Sequence, residues 1–263
     1  MISDYREHEL RIPGFLWEIP ATLCLPEGEG RFPWVMMMHG TGSCRDEVGG
    51  GYARLAPMLA KRGIASVRFD FAGCGESPVD FSAYTLTSAM RDGNSVAAYM
   101  KAQPFIAPER FGIMGWSQGA MLAIMLAGKD IGARSMVTWA AALKMDFYWK
   151  EYREKAYRDG YVIIDPEWRP PLKVSRQWFE EAAITDAADN LEGYSGDVLA
   201  ICGSEDQFGF QNNLPTIVER SSGRRKEQWV VENADHVFNI DSGDDRIFTR
   251  VAERTAEWFA QTL

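Results

Sequence analysis

Cysteine, histidine and long apolar runs are all scarce in this chain. Its four cysteines, Cys24, Cys44, Cys74 and Cys202, stand far apart with no CxxC pair, and with only three histidines the spacing of a zinc site is missing. They read as free thiols, mostly buried. The longest apolar stretches, such as Trp34-Val35-Met36-Met37-Met38, are strand-sized, far short of the roughly 20 residues a membrane helix needs. Positive charge is in deficit too: 28 Lys and Arg against 37 Asp and Glu leave a formal charge of −9. Such a field repels phosphate backbones and anionic lipid, so neither nucleic acid nor a membrane is expected as a partner. No repeat or low-complexity tract interrupts the chain, and Gly49-Gly50-Gly51 lacks the Lys-Ser/Thr that would make it a phosphate loop. The opening MISDYREHEL holds no apolar run, which argues against a secretory signal there and for a cytoplasmic protein.

What the chain does have is core-forming material. Hydrophobic residues make up 46% of it and aromatics 12%, the composition of a packed globular protein. At 263 residues, a single α/β unit with an insertion is the first expectation. Short apolar runs at Phe32–Met38, Ile64–Phe69, Phe111–Gly115, Ser135–Ala140, Val198–Cys202 and Gln228–Val231 suit strands buried on both faces. Between them, Tyr52–Arg62, Leu86–Lys101, Gln118–Ala127 and Arg246–Leu263 carry helical periodicity. That alternation predicts a mostly parallel sheet flanked by helices, with Tyr5 to Leu25 as an edge hairpin broken at Pro13-Gly14. More than fifty residues separate the strands ending near Ala140 and starting near Val198, far beyond a plain crossover. We read residues 143–190 as an inserted cap after the sixth strand, with 1–142 and 191–263 forming the core.

Gly115-Trp116-Ser117-Gln118-Gly119 follows a predicted strand and opens a predicted helix, the context of a nucleophile elbow. A serine held there needs small neighbours two residues before and after, so that strand and helix backbones can pass; glycine fills both places. A serine hydroxyl also needs a base. His8 lies in the N-terminal hairpin and His39 precedes the Gly40-Thr41-Gly42 turn, where it reads as a brace for the loop. Only His236 follows the last predicted strand, as the order Ser…Asp/Glu…His requires. The acid should leave the penultimate strand, where Gly203-Ser204-Glu205-Asp206 stands; Asp206 is the choice, with Glu205 the alternative. Asp235 would have to bend back onto its own neighbour. For the oxyanion, the backbone N–H of Gln118 and that of Thr41 in the loop after the Phe32–Met38 strand are the candidate donors. The mixed-charge run Arg45, Asp46, Glu47 reads as solvated surface, and Asp70, Gly73, Gly75 and Ser77 as a tight turn beside the elbow.

These segments, GWSQG, HGTG, Arg68 to Ser77, GSED and Asp235-His236, resemble the α/β-hydrolase superfamily from about residue 20 to the end. The D-x-x-G-x-G-x-S loop, the Ser-Gln pair and the insertion are most similar to the feruloyl/cinnamoyl esterase branch. The sequence departs from that branch in reading HGTG where an aromatic HGF is common, and Ala120 where a third glycine is frequent. The resemblance implies the α/β-hydrolase fold and a serine carboxylesterase that needs no cofactor and no metal, acting on small or aromatic acyl esters through an acyl-Ser117 intermediate. A prolyl-oligopeptidase-type peptidase, a lactone or thioester hydrolase, and a non-catalytic binding protein of the same fold remain the alternatives. The cap aromatics Phe147, Tyr148, Trp149, Trp168 and Trp178 are the candidates for substrate contact, and an exposed cap or the C-terminal helix offers a face for a homodimer.

Overall fold

In a computed structural model that describes residues 5–165 and 169–263, the chain builds an eight-stranded sheet and a separate two-stranded one. The first strands, β1 (Tyr5–Pro13) and β2 (Glu18–Pro26), pair antiparallel. Then β3 (Phe32–Met38), helix α1 (Gly51–Ala60), β4 (Ala65–Phe69), α2 (Leu86–Lys101), β5 (Ile106–Trp116), α3 (Gln118–Gly128) and β6 (Ser135–Trp139) alternate. The order across the sheet is β1-β2-β4-β3-β5-β6, completed by β9 (Asp197–Gly203) and β10 (Lys226–Val231). From β4 to β10 every neighbouring pair is parallel, and β2 alone joins this array antiparallel. The chain direction across the sheet reverses between β3 and β5, so the loops leaving their carboxyl ends part and open a crevice there.

Between β6 and β9 lie α4 (Arg153–Asp159), the antiparallel pair β7 (Tyr161–Ile164) and β8 (Leu172–Ser175), and α5 (Arg176–Ile184). Their own small interior contains Val162, Leu172, Val174, Trp178 and Phe179, all buried. After β9 comes α6 (Leu214–Arg220), which the periodicity did not single out, and after β10 comes α7 (Arg246–Thr262).

The local chemistry explains the boundaries. Thr85 and Ser88 form a reciprocal capping box at the start of α2. Helix α3 is apolar on all sides, with every residue from Gln118 to Ala127 buried, so it must lie sandwiched within the protein. In α7 the buried residues Phe248, Val251, Ala252, Thr255, Ala256, Trp258 and Phe259 recur at three- and four-residue spacing, and that stripe faces the sheet. Trp139 at the end of β6 donates its indole N–H to Thr255 Oγ1 at 2.9 Å. No helix among the described residues is long and apolar enough to cross a membrane.

Candidate active site

The parallel strands deliver their carboxyl ends to one edge of the sheet, and Ser117 stands directly after β5. Its backbone is held at φ 56°, ψ −118°, an unfavourable conformation for a residue with a side chain and one that persists only when the surroundings enforce it. They do: the Ser117 N–H donates to Trp139 O at 2.8 Å, and the flanking glycines leave no alternative. A Cβ on Gly115 would overlap the Gly119 backbone, and one on Gly119 would overlap the Met38 carbonyl. This is the physical requirement behind the GxSxG spacing.

His236 lies in the loop between β10 and α7. The Trp116 indole donates to its backbone carbonyl at 3.1 Å, so the residue before Ser117 also anchors the histidine loop. Asp235 shapes that loop as well, its Oδ1 accepting the N–H groups of Val237 (2.9 Å) and Asn239 (2.8 Å). The alternative acids therefore separate by geometry. Asp206 Oδ2 lies 2.8 Å from His236 Nδ1, and its side chain is fully buried; Glu205 is exposed; Asp235 is occupied with its own loop.

Asp206 also accepts the Phe208 N–H at 2.8 Å and the Cys202 thiol at 3.3 Å. Burial alone would push its carboxyl up, but the hydrogen bond and charge of His236, with these other donors, hold it below the ordinary carboxylate value. An ionised Asp206 accepting from Nδ1 places the imidazole proton on Nδ1 and leaves Nε2 free to accept one.

The loop after β3 faces Ser117 across the crevice. His39 braces it: Nδ1 lies 2.8 Å from Gly40 O, while Nε2 accepts the Phe71 N–H at 3.1 Å. Burial lowers its pKa, in keeping with a neutral ring bonded this way. Glu47 organises the rest, accepting the Gly40 N–H, the Ser43 hydroxyl at 2.7 Å and the Val48 N–H at 3.0 Å. With the Gly40 amide engaged, Thr41 and Gly42 are the next N–H groups along this loop. The Thr41 hydroxyl donates to Gln118 Oε1 at 3.0 Å, which also accepts from Tyr84 at 2.8 Å, tying the loop to the first turn of α3. As the first residue of α3, Gln118 has an N–H with no acceptor one turn earlier in the helix, and the helix dipole adds to its pull on negative charge.

The run Arg45, Asp46, Glu47 is thus not the solvated surface its composition suggested. Arg45 donates to both Asp70 oxygens, from its backbone N (2.7 Å) and from Nη1 (2.6 Å). Asp46 accepts from Arg68 at 2.6 Å. The desolvation of these guanidinium groups is offset by carboxylates packed against them, and the result locks the loops after β3 and β4 together. Gly75 closes this arrangement with φ 52°, where a Cβ would collide with the Asp70 carboxylate.

The crevice is a pocket of about 740 Å³ whose lining includes Ser117, His236, Thr41, Gly73 and Gly75. Of the cap aromatics, Tyr148 lines it. Trp178 is fully buried and packs between Trp149 (5.3 Å between ring centres) and Phe179 (5.0 Å), as a core residue of the insertion. Trp149 meets Tyr148 at 4.7 Å and supports it from behind. Phe147 belongs to a second depression with Leu143 and Asn213, and Trp168 lies outside the described residues. Sequence reasoning missed Phe208, Phe210, Met145 and Arg169 in the pocket lining. Phe208 and Phe210 carried a signal, since they follow Asp206 at two-residue spacing; Arg169 carried none.

Comparison with known proteins bears on the family and the fold. Residues 35–250 match the alpha/beta hydrolase family. A curated relative, the 2,6-dihydropseudooxynicotine hydrolase of Paenarthrobacter nicotinovorans, is 26% identical over 148 residues, which are 54% of this chain and 36% of that protein. The match thus spans little more than a third of the relative's length. Among solved structures, Est1E from Butyrivibrio proteoclasticus with ferulic acid bound superposes with a TM-score of 0.77 at 18% identity, over 96% of this chain and 98% of that one. DcsB in complex with its substrate analogue gives 0.78 at 13% identity, over 98% and 100%. These structures share the fold.

Proposed function

The chain belongs to the alpha/beta hydrolase family, and from that premise we propose that it is a serine hydrolase of carboxylic esters. Ser117 is the nucleophile, His236 the base and Asp206 the acid that orients it. The observation that carries this reading is the strained Ser117 at the start of α3, lining the same pocket as a histidine whose Nδ1 is held by a buried carboxylate.

In the proposed reaction Ser117 Oγ attacks the ester carbonyl carbon while its proton passes to His236 Nε2. The carbonyl π bond opens, and the negative oxygen is held by the N–H groups of Gln118 and Thr41. Collapse of this intermediate breaks the bond to the alcohol oxygen, which takes the proton from His236 and departs. Water then attacks the acyl-Ser117 with His236 again as base, and the acid is released. Phe208 and Phe210, with ring centres 4.8 and 5.6 Å from that of His236, and Tyr148 offer an apolar wall where the leaving alcohol takes its proton.

Fluorophosphonate labelling and a panel of p-nitrophenyl esters, methyl ferulate and aminoacyl anilides test the reading. Labelling of the wild type and not of Ser117→Ala, with turnover of esters over anilides, is the expected result. Loss of triad nucleophiles lowers turnover by roughly 10⁴–10⁶. Ester hydrolysis by Ser117→Ala at the wild-type rate would refute it, and preference for the anilides would make the enzyme a peptidase.

A further inference from the structure

Cys202 stands one residue before the end of β9, inside the sheet between β6 and β10, where its register partner is Val230. It is a free thiol with no exposed surface. Its Sγ lies 3.3 Å from Asp206 Oδ2, the oxygen that also meets His236 Nδ1 at 2.8 Å. The direction of this bond follows from charge: an ionised carboxylate only accepts, so the thiol donates. Burial and the neighbouring Asp206 charge push the Cys202 thiol pKa up, and the thiol keeps its proton at neutral pH.

A carboxylate is poorly oriented by its own torsion, because rotation about the Cβ–Cγ bond of aspartate has broad preferences. Hydrogen-bond donors have to define its plane. Among the described residues, two donors besides the histidine reach the Asp206 side chain: the Phe208 N–H on Oδ1 at 2.8 Å and Cys202 on Oδ2. Phe208 belongs to the same turn as Asp206 and moves with it, whereas Cys202 is fixed in the strand. That strand is itself seated on the histidine loop. A Cβ on Gly203 would lie 2.1 Å from Ala234 O, and the Glu205 N–H donates to the same carbonyl at 2.9 Å. Cys202 thus ties the carboxylate to the rigid element against which the His236 loop packs.

We infer that Cys202 is a positioning residue for the proposed base: its thiol holds the Asp206 carboxylate with Oδ2 turned to His236 Nδ1. The inference rests on the esterase reading above. Cys202 is not among the described residues that line the pocket, and its proton stays on sulfur throughout the reaction. Its effect therefore belongs to the steps in which His236 gains and loses a proton, and substrate binding is left alone. A thiol is a weak donor, so its loss corresponds to about a 3- to 10-fold fall in kcat, with KM little changed.

The test uses Cys202→Val, which fills the space without a donor, and Cys202→Ser, which keeps one, with p-nitrophenyl acetate as substrate. Cys202→Val should lower kcat about 3- to 10-fold and leave KM within about twofold, and Cys202→Ser should recover most of the lost rate. Placed in Asp206→Asn, the same valine should change kcat by less than about twofold, because the carboxylate it would release is already gone. A merely structural role would cost as much in both backgrounds. In proton NMR, the His236 Nδ1–H resonance, identified by its loss in His236→Gln, should move or broaden in Cys202→Val and return in Cys202→Ser. Should Cys202→Val fail to fold, Cys202→Ala takes its place. A donor-free variant with the wild-type kcat, a loss that serine does not reduce, an equal loss in both backgrounds, or an unmoved resonance overturns the assignment. Ester hydrolysis together with any of these results defeats this inference and leaves the esterase reading standing. Absence of ester hydrolysis by wild type defeats that reading, and the Nδ1–H resonance then decides whether the thiol positions the carboxylate.

Discussion

Replacing Asp206 by asparagine isolates what the buried acid does for His236. The side chain is fully buried and almost isosteric with asparagine, so the change is electronic. Asparagine can keep the Phe208 N–H on its carbonyl oxygen, and its amide can point at Cys202 Sγ, so its polar groups stay satisfied. What it cannot do is accept from His236 Nδ1 at the position where Asp206 Oδ2 sits, 2.8 Å away. Facing an N–H donor, the imidazole turns its Nδ1 into an acceptor and carries its proton on Nε2, where it can no longer take one from Ser117. On the proposed mechanism the wrong tautomer should lower kcat by about 10⁴, or roughly 5.5 kcal/mol of transition-state stabilisation.

Stability should respond too, with a definite sign. The folded pKa of Asp206 lies below its ordinary value, so its contribution is complete above about pH 4 and is lost as pH falls through the folded value. The variant lacks that contribution at neutral pH. Steady-state hydrolysis of p-nitrophenyl acetate at pH 7.5, with circular dichroism to verify folding, measures the first effect, and urea titration the second. Glu205→Gln, at an exposed position, is the control and should stay within several-fold of wild type. An Asp206→Asn rate within tenfold of wild type, or an equal loss in Glu205→Gln, would refute the assignment.

Gly119→Ala should abolish soluble, active protein, because its Cβ would overlap the Met38 carbonyl; a variant with wild-type activity and melting temperature would show that the elbow tolerates a side chain. Burial pushes the Asp92 carboxyl up to about 7 from its ordinary 3.8, so ionising it in the folded state costs roughly 4 kcal/mol. The unfolded chain ionises first, so stability falls as pH rises from about 4 to about 7 and is level beyond; Asp92→Asn should therefore gain on wild type at pH 8 far more than at pH 4.5 in urea unfolding, and an equal difference at both would contradict this. Tyr148→Ala, which strips about 60–100 Å² of apolar contact from a bulky ligand, should cost about 1.5–2.5 kcal/mol in kcat/KM for aromatic esters and little for acetyl esters. Trp178→Ala should instead lose about 3–5 kcal/mol of folding stability, and a Trp178 variant that folds normally but changes ester preference would reverse these two roles.

The features legible in the sequence are those governed by neighbours within a few residues. A parallel strand buried on both faces has to be apolar throughout, and a helix against it has to repeat every three or four residues, so β3, β5 and α2 could be placed from their side chains alone. Gly115 and Gly119 could be read in the same way, because the crossing of strand and helix at Ser117 leaves no volume for a Cβ. Other features depend on residues that meet only when distant segments pack. Glu205 and Asp206 are adjacent and chemically alike, and the turn after β9 alone decides which of them is buried beside His236. Arg45 and Asp46 look like surface charge until the loop after β4 brings Asp70, and β4 itself brings Arg68, against them. Tyr148 and Trp178 belong to the same aromatic-rich insertion, and the fold sends one to the pocket and the other to a core. Arg169 reaches the oxyanion loop across more than a hundred residues of chain. Local periodicity records whether a side chain is to be buried, but what it is buried against is settled by the topology of the sheet.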